Sequence, residues 1–311
     1  MDAIIQVEHL HKSYADLVAV KDLSFQVWKG EIFGMVGPNG AGKTTTIEII
    51  EGLRASDSGR LSVLGFDPAS QRDELAEHIG VQLQAAALPA HLHVGEALEL
   101  FASFYPKQSF PNGVKASSDD LLSRLGLSDK ASAPYSKLSG GQKQRLSIAL
   151  ALIHKPPIVF FDEITTGLDP QARRAMWDLV REIRNQGSTV FLTTHFMEEA
   201  ERLCDRVLIL DHGQCVALDR PEVLVASLGI EKRLVFDILA DQELPILQTL
   251  ECVSRVEKSG DRVIVYGQGR RFASQVVAML EDAEIDLLDL RTEQANLEDV
   301  FLRLTGREMR D

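Results

Sequence analysis

Four short runs dominated by apolar residues, at 32–36, 158–161, 190–194 and 207–210, are continuous rather than alternating. A strand covered on both faces has no polar side to show, so this pattern predicts a parallel sheet with helices on either side. Between the runs the period changes. Asp169 and Pro170 read as an N-cap and a first helical residue, and Met176, Leu179, Val180 and Ile183 follow at helical spacing. From about residue 85 to 155 the β-branched runs give way to helix-forming stretches at 94–105 and 119–127, which predicts a helical insertion between two sheet-forming parts. Inside it, the Gly/Ser/Pro-rich segment 106–118 reads as a loop. Near Gly229 the pattern changes again. Strand-like pieces at 234–239 and 262–266, with helix-like pieces at 272–281 and 296–304, predict a small α+β domain over residues 229–311 behind a larger one over 1–228.

Composition narrows the possible functions. A chain of 311 residues exceeds one average domain of roughly 100–200 residues, in keeping with two. Its formal net charge of −13 and the absence of any Lys/Arg-rich block argue against a nucleic-acid partner, whose phosphates demand a basic face. Three cysteines, Cys204, Cys215 and Cys252, without CxxC spacing, suit a reducing cytosol better than a disulfide framework. The first residues carry Asp2 and Glu8 rather than the basic region of a signal peptide. No stretch reaches the roughly 18 uninterrupted apolar residues of a membrane span, so any membrane passage is expected to be the work of another chain.

The candidate chemistry sits at the ends of the predicted strands. After the first run comes Gly37-Pro38-Asn39-Gly40-Ala41-Gly42-Lys43-Thr44, a full GxxxxGK[ST] phosphate loop, followed by Thr45 and a helix-like run. Its glycines let backbone N–H groups turn inward on phosphate oxygens, and the helix N-terminus adds the positive end of its dipole. Lys43 is expected to reach the β- and γ-phosphates of ATP, and the Thr44 hydroxyl to ligate Mg²⁺. The second run ends in Asp162 and Glu163, at the strand edge where α/β sheets place ligands. Asp162 suits Mg²⁺, and Glu163 can polarise an attacking water. Leu138-Ser139-Gly140-Gly141-Gln142 precedes an apolar helix; Ser139 reads as its N-cap, and the glycines leave amides exposed as a second anion-binding surface.

Taken together, in order and approximate spacing, the phosphate loop, Leu138–Gln142, Asp162-Glu163, Gly167-Leu168-Asp169 and His195 make residues 4–225 resemble the ATP-binding subunits of ABC transporters. The resemblance implies a P-loop NTPase fold: a mainly parallel RecA-like sheet core, an N-terminal antiparallel β part and a helical subdomain, here joined to the small C-terminal α+β domain. It also implies a head-to-tail homodimer that sandwiches ATP between the phosphate loop of one copy and Ser139, Gly140, Gly141 and Gln142 of the other. Residue by residue, Tyr14 resembles the aromatic that stacks on adenine, with an ordinary turn aromatic as the other reading. Gln84 resembles the Mg²⁺-sensing glutamine, with Gln82 as its competitor. Asp169 resembles a dimer contact that is also an N-cap. His195, at the end of a strand, resembles the histidine that donates to the γ-phosphate and positions water. Ile164 stands where the family usually has proline, so the ring that would stiffen the setting of Glu163 is missing.

The stretch 296–306, beginning Asn296-Leu297-Glu298-Asp299, is similar to the ending of daunorubicin-resistance-type, ABC-2 type exporter ATPases; read alone it is an amphipathic helix. The expected protein is therefore an ATPase working with separate transmembrane permease subunits, peripheral on the cytoplasmic face of the cell membrane, coupled through elements near residues 84–99. The alternative is a soluble ABC-type ATPase acting on ribosomes or DNA. Such relatives carry tandem ATPase domains or long coiled coils, and this chain has one phosphate loop and no sustained heptads.

Overall fold

The computed structural model describes residues 2–82, 88–229, 232–239, 244–293 and 295–306. The chain divides into two compact units, one ending at Pro221 and one running from Glu222 to Gly306.

In the first unit the continuous apolar runs do form parallel strands. β3 (Ile32–Val36), β6 (Ile158–Asp162), β7 (Thr189–Thr194) and β8 (Arg206–Asp211) lie side by side in a six-stranded sheet of order β5-β6-β7-β3-β8-β9. β5 (Ile79–Gln82) extends the parallel set, and β9 (Gln214–Asp219) closes it antiparallel to β8. All residues of β3 and β7 are buried, which is why their sequences show no alternation. Covering the sheet are α1 (Lys43–Ile50), α2 (Arg72–Ala76), α6 (Pro170–Asn185) and α7 (Met197–Leu203). Of the predicted stripe on α6, Met176, Val180 and Ile183 are buried.

A three-stranded antiparallel sheet, β1 (Ala3–Tyr14), β2 (Leu17–Trp28) and β4 (Ser58–Val63), shares its core with the parallel sheet. Phe25 of β2 stacks on Phe33 of β3 at 5.5 Å between ring centroids, and Phe33, Phe191 and Phe160 continue the row. The two sheets are thereby fixed around α1, the helix that carries the phosphate loop.

Helical structure lies between β5 and β6: α3 (Val94–Ala102), α4 (Val114–Arg124) and α5 (Gly140–Leu152). Here the sequence reading needs correction. The stretch 106–118 is not all loop, because α4 begins at Val114, and the helix expected over 119–127 ends at Arg124. Gly113, at φ +84°, supplies the turn into it, and Ser117 and Ser118 are buried. Small serines facing a neighbour look like loop composition in sequence, yet they let a helix pack closely.

The second unit is an antiparallel sheet of order β11-β12-β10-β13, built from β10 (Lys232–Asp237), β11 (Val253–Ser259), β12 (Arg262–Gly267) and β13 (Leu288–Glu293). α8 (Pro221–Ser227) leads into it. Phe272, Val276 and Leu280 of α9 (Phe272–Asp282) pack on Leu234, Phe236, Val263 and Val265. α10 (Leu297–Thr305) opens with a capping box between Asn296 and Asp299 and stops at left-handed Gly306. Among the described residues no helix is long and apolar enough to cross a membrane.

One core histidine carries a pH dependence. His154 stacks on Tyr105, ring centroids 3.7 Å apart, and neither ring nitrogen makes a well-aligned hydrogen bond among the described residues. Burial first, and nearby His78, push its pKa from 6.5 down to about 4, against some support from the main chain of Ile79. The unfolded chain therefore binds the extra proton below about pH 6.5, and stability on the order of 3 kcal/mol is lost as the pH falls toward 4. His154→Phe keeps the stack and is expected to remove this loss; equal acid sensitivity of the two proteins in urea titrations at pH 4.5 and 7 would contradict the assignment.

Candidate functional site

The phosphate loop owes its shape to two places where a side chain has no room. A Cβ on Gly37 would lie 2.2 Å from the Leu210 carbonyl oxygen. Gly42 stands at φ +106°, where a Cβ would lie 2.3 Å from the Ala19 oxygen of β2. Both approaches fix the loop against its neighbours, and the turn between β8 and β9 adds a bond from Gly213 N to the Ala41 oxygen at 2.9 Å. The consequence appears at α1. Ser139, Asp169 and Asn296 cap α5, α6 and α10 with their side chains, but α1 starts at Gly42 with no side-chain cap. Among the described residues no side-chain cap is made at its first turn, at the positive end of the helix dipole.

Lys43 is buried and folds back over the loop, donating to the carbonyls of Gly37 at 2.7 Å and Pro38 at 3.2 Å. Burial lowers its pKa, opposed by the charges of Glu163 and Asp162. Thr44 is exposed beside it and Thr45 half-buried. Pro38, Asn39, Gly40 and Ala41 complete the curve, with Gly40 at φ +80°.

The end of β6 brings the carboxylates to the same place. Glu163 Oε1 lies 3.8 Å from Lys43 Nζ and 3.2 Å from His195 Nδ1, the latter contact lacking the alignment of a hydrogen bond. Asp162 accepts from the Thr193 hydroxyl of β7. Glu163 has φ +51°, a left-handed conformation costing about 1–2 kcal/mol for a residue with a Cβ. Several contacts hold it there: its N–H donates to the Thr193 oxygen at 3.1 Å, and Thr166 N donates to its carbonyl at 3.2 Å. Ile164, in the place of a proline, is buried, and its carbonyl accepts from the Gln144 side chain of α5. Burial and that bond hold the backbone where a ring would otherwise constrain it.

The structure thus brings together Gly37–Thr45, Asp162, Glu163 and His195. It does not bring Ser139, Gly140, Gly141 and Gln142 to them within the chain by any hydrogen bond or ion pair among the described residues. Ser139 caps α5, its Oγ accepting from Gln142 N at 3.3 Å while Gln142 Oε1 accepts from Ser139 N. A Cβ on Gly140 or Gly141 would meet nothing within 4 Å, so this edge is open. Asp169 is exposed and accepts from the amides of Gln171 and Ala172, both at 2.9 Å. Tyr14 lies at the β1–β2 turn, half-open, with the Lys12 and Arg54 cations 5.5 and 5.3 Å from its ring centre. Gln84 lies outside the described residues, while Gln82 is buried on β5 and its Oε1 has no partner among them.

The residues fit MgATP. The uncapped amides and Lys43 suit a polyphosphate, and the Thr44 hydroxyl with the Asp162 carboxylate is the hard-oxygen set that Mg²⁺ prefers. Sequence reading missed Glu51, which follows α1. Burial chiefly, with the charges of Asp162 and Glu48, raises its pKa to about 8, so it is mostly neutral at pH 7. Its position in a helical run gave no signal of this.

Residues 20–166 match the ABC transporter family, and residues 239–306 match the C-terminal domain of the nodulation factor export protein NodI. The chain is 41% identical over its full length to the Nod factor export ATP-binding protein I of Paraburkholderia xenovorans, covering 99% of that protein. It is 39% identical to the protein of the same name from Ralstonia nicotianae, over 99% of this chain and 95% of that one. A solved dimer of an ATP-binding cassette in a post-hydrolysis state, bound to ADP and phosphate, superposes with TM-score 0.63 at 26% identity, over 70% of this chain and 98% of that one.

Glu51 generates a stability test on the nucleotide-free protein. Its stabilising neutral form is fully present below about pH 4.5 and is lost as the pH rises through about 8, a swing on the order of 5 kcal/mol. Glu51→Gln is expected to melt higher than the parent at pH 8.5 and close to it at pH 4.5; a gain of equal size at both pH values would refute a buried titrating acid.

Proposed function

The chain belongs to the ATP-binding subunits of ABC transporters, and from that premise we propose that it binds MgATP at Gly37–Thr45, closes head-to-tail on a second copy and drives separate membrane-spanning chains in export. It is an ATPase, and its full-length relatives are export ATP-binding subunits, so the ribosome- or DNA-directed alternative is not favoured. The observation that carries the reading is the uncapped start of α1, with Lys43, Glu163 and His195 gathered over it.

Phosphoryl transfer to water asks mainly for positioning and charge neutralisation. The α1 amides and Lys43 hold the phosphates, and the left-handed turn at Glu163 aims its carboxylate to polarise the attacking water. His195, beside that carboxylate, donates to the γ-phosphate. Thr44 and Asp162 would hold Mg²⁺, which would supply neutralisation of the phosphate charge. Tyr14 stacks on the adenine, and Gln84 reports Mg²⁺ to the permease. The open Ser139–Gln142 edge seals the ATP of the other copy, with Asp169 at the contact between them. Support for this edge comes from the open space over Gly140 and Gly141, whose added Cβ atoms would meet nothing within 4 Å. The assembly acts on the cytoplasmic face of the cell membrane, exporting a drug, lipid or other amphipathic cargo.

Two substitutions separate binding from turnover. Lys43→Ala is expected to weaken MgATP binding at least a hundredfold in calorimetric titration. Glu163→Gln is expected to bind as the parent does, hydrolyse at least a hundredfold more slowly and elute as a dimer with MgATP. Parent-like turnover by Glu163→Gln would remove Glu163 from the chemistry, and parent-like binding by Lys43→Ala would remove the phosphate-loop assignment.

A further inference from the structure

Behind the site lies a charged side chain that the chemistry above does not use. Glu199, on α7, is 1% exposed. A buried carboxylate is costly unless its oxygens are satisfied, and here every partner is a donor. Thr165 Oγ1 donates to its Oε2 at 3.0 Å, and Trp177 Nε1 donates to its Oε1 at 3.3 Å. Burial raises the pKa of Glu199, and the nearby Thr194 hydroxyl, the two donors above and the Arg173 guanidinium act against that rise. Thr194 Oγ1 in turn accepts from Phe196 N at 2.9 Å.

These partners come from separate segments, and each segment bears a functional residue. Thr165 lies in the loop between Glu163 and Asp169. Thr194 immediately precedes His195, and its bond to Phe196 N spans that residue. Trp177 and Arg173 belong to α6, the helix that Asp169 caps. Arg173 also places its guanidinium 4.5 Å from the centre of the Phe196 ring, which lies 4.0 Å from the His195 ring. Thr165, Thr194 and Trp177 are all buried, so water cannot replace the carboxylate as their acceptor.

We propose that Glu199 is a positioning residue for ATP hydrolysis: through Thr165 and Thr194 it locks the Glu163–Asp169 loop and the His195 turn into one unit. This inference rests on the reading that Glu163 and His195 act on ATP. A left-handed Glu163 persists only while its surroundings over-determine it, and Thr165 is anchored two residues away. Releasing Glu199 frees the loop and the histidine together while leaving the phosphate loop, which it does not touch, able to bind nucleotide. Because Asp169 ends the same loop, the lock also ties the dimer contact to the catalytic pair.

The test uses the full chain with Glu199→Leu, which removes the acceptors at similar volume, and Glu199→Gln, which keeps one carbonyl acceptor. Steady-state ATPase kinetics are expected to show kcat at least tenfold lower in the leucine variant with KM for MgATP within twofold of the parent. The glutamine variant is expected to recover at least a third of parental turnover. Hydrogen–deuterium exchange without nucleotide, which needs no turnover, is expected to accelerate in both 163–169 and 194–197 in the leucine variant, or in the glutamine variant should leucine fail to fold. Unchanged exchange in both segments, or unchanged kcat, overturns the positioning role. A fall in kcat accompanied by an equal loss of MgATP affinity assigns Glu199 to general core support and overturns it as well. A parent that does not hydrolyse ATP defeats the functional reading instead, and the exchange result then decides the lock by itself.

Discussion

The amides at the start of α1 set the terms for the rest of the molecule. A helix beginning at a glycine, without the side-chain cap that α5, α6 and α10 possess, gives up about 0.3 kcal/mol of capping stability. The fold accepts this because Gly37 and Gly42 are wedged against Leu210 and Ala19, so the loop keeps its curl without a side chain to hold it. Everything near it then follows from electrostatics. A buried lysine turned on main-chain carbonyls, with carboxylates within reach, is an arrangement a polyphosphate completes.

A parallel sheet explains why the parts meet. The phosphate loop follows β3, Asp162 and Glu163 end β6 or follow it, and His195 follows β7, all at the same edge, because β6, β7 and β3 are neighbours running in one direction. The aromatic row from Phe25 to Phe160 fixes the antiparallel sheet to that scaffold, so Ala19 meets the loop as rigidly as a sheet residue can. Backbone strain at Glu163 is carried by this rigidity together with Thr193, Gln144 and buried Ile164.

Much of this was legible in the residues. The strands at 32–36 and 158–161 were visible because full burial writes itself as an unbroken apolar run, and the phosphate loop because only glycines fit its turns. Ser139 and Asp169 were readable as caps since capping needs a local side chain, and both do cap. What stayed hidden was non-local. Glu199 sits in Met197-Glu198-Glu199-Ala200-Glu201, which looks like a solvated helix face, and nothing nearby announces that Thr165 and Trp177 converge on it. Glu51 was hidden for the same reason, and the first turn of α4 because buried serines imitate a loop. Ile164 looked like a missing constraint, and only the fold shows Gln144 reaching its carbonyl.

The central claim is that one triphosphate is held by the amides of α1 in one copy and covered by the Ser139–Gln142 edge of another. A crystal structure of the protein grown with MgATP under conditions that block hydrolysis tests it most directly. The account predicts phosphate density ringed by Gly37–Thr45, with Ser139 of the second copy on its far side. A nucleotide bound elsewhere, or two copies joined through another face with that edge left in solvent, would contradict it.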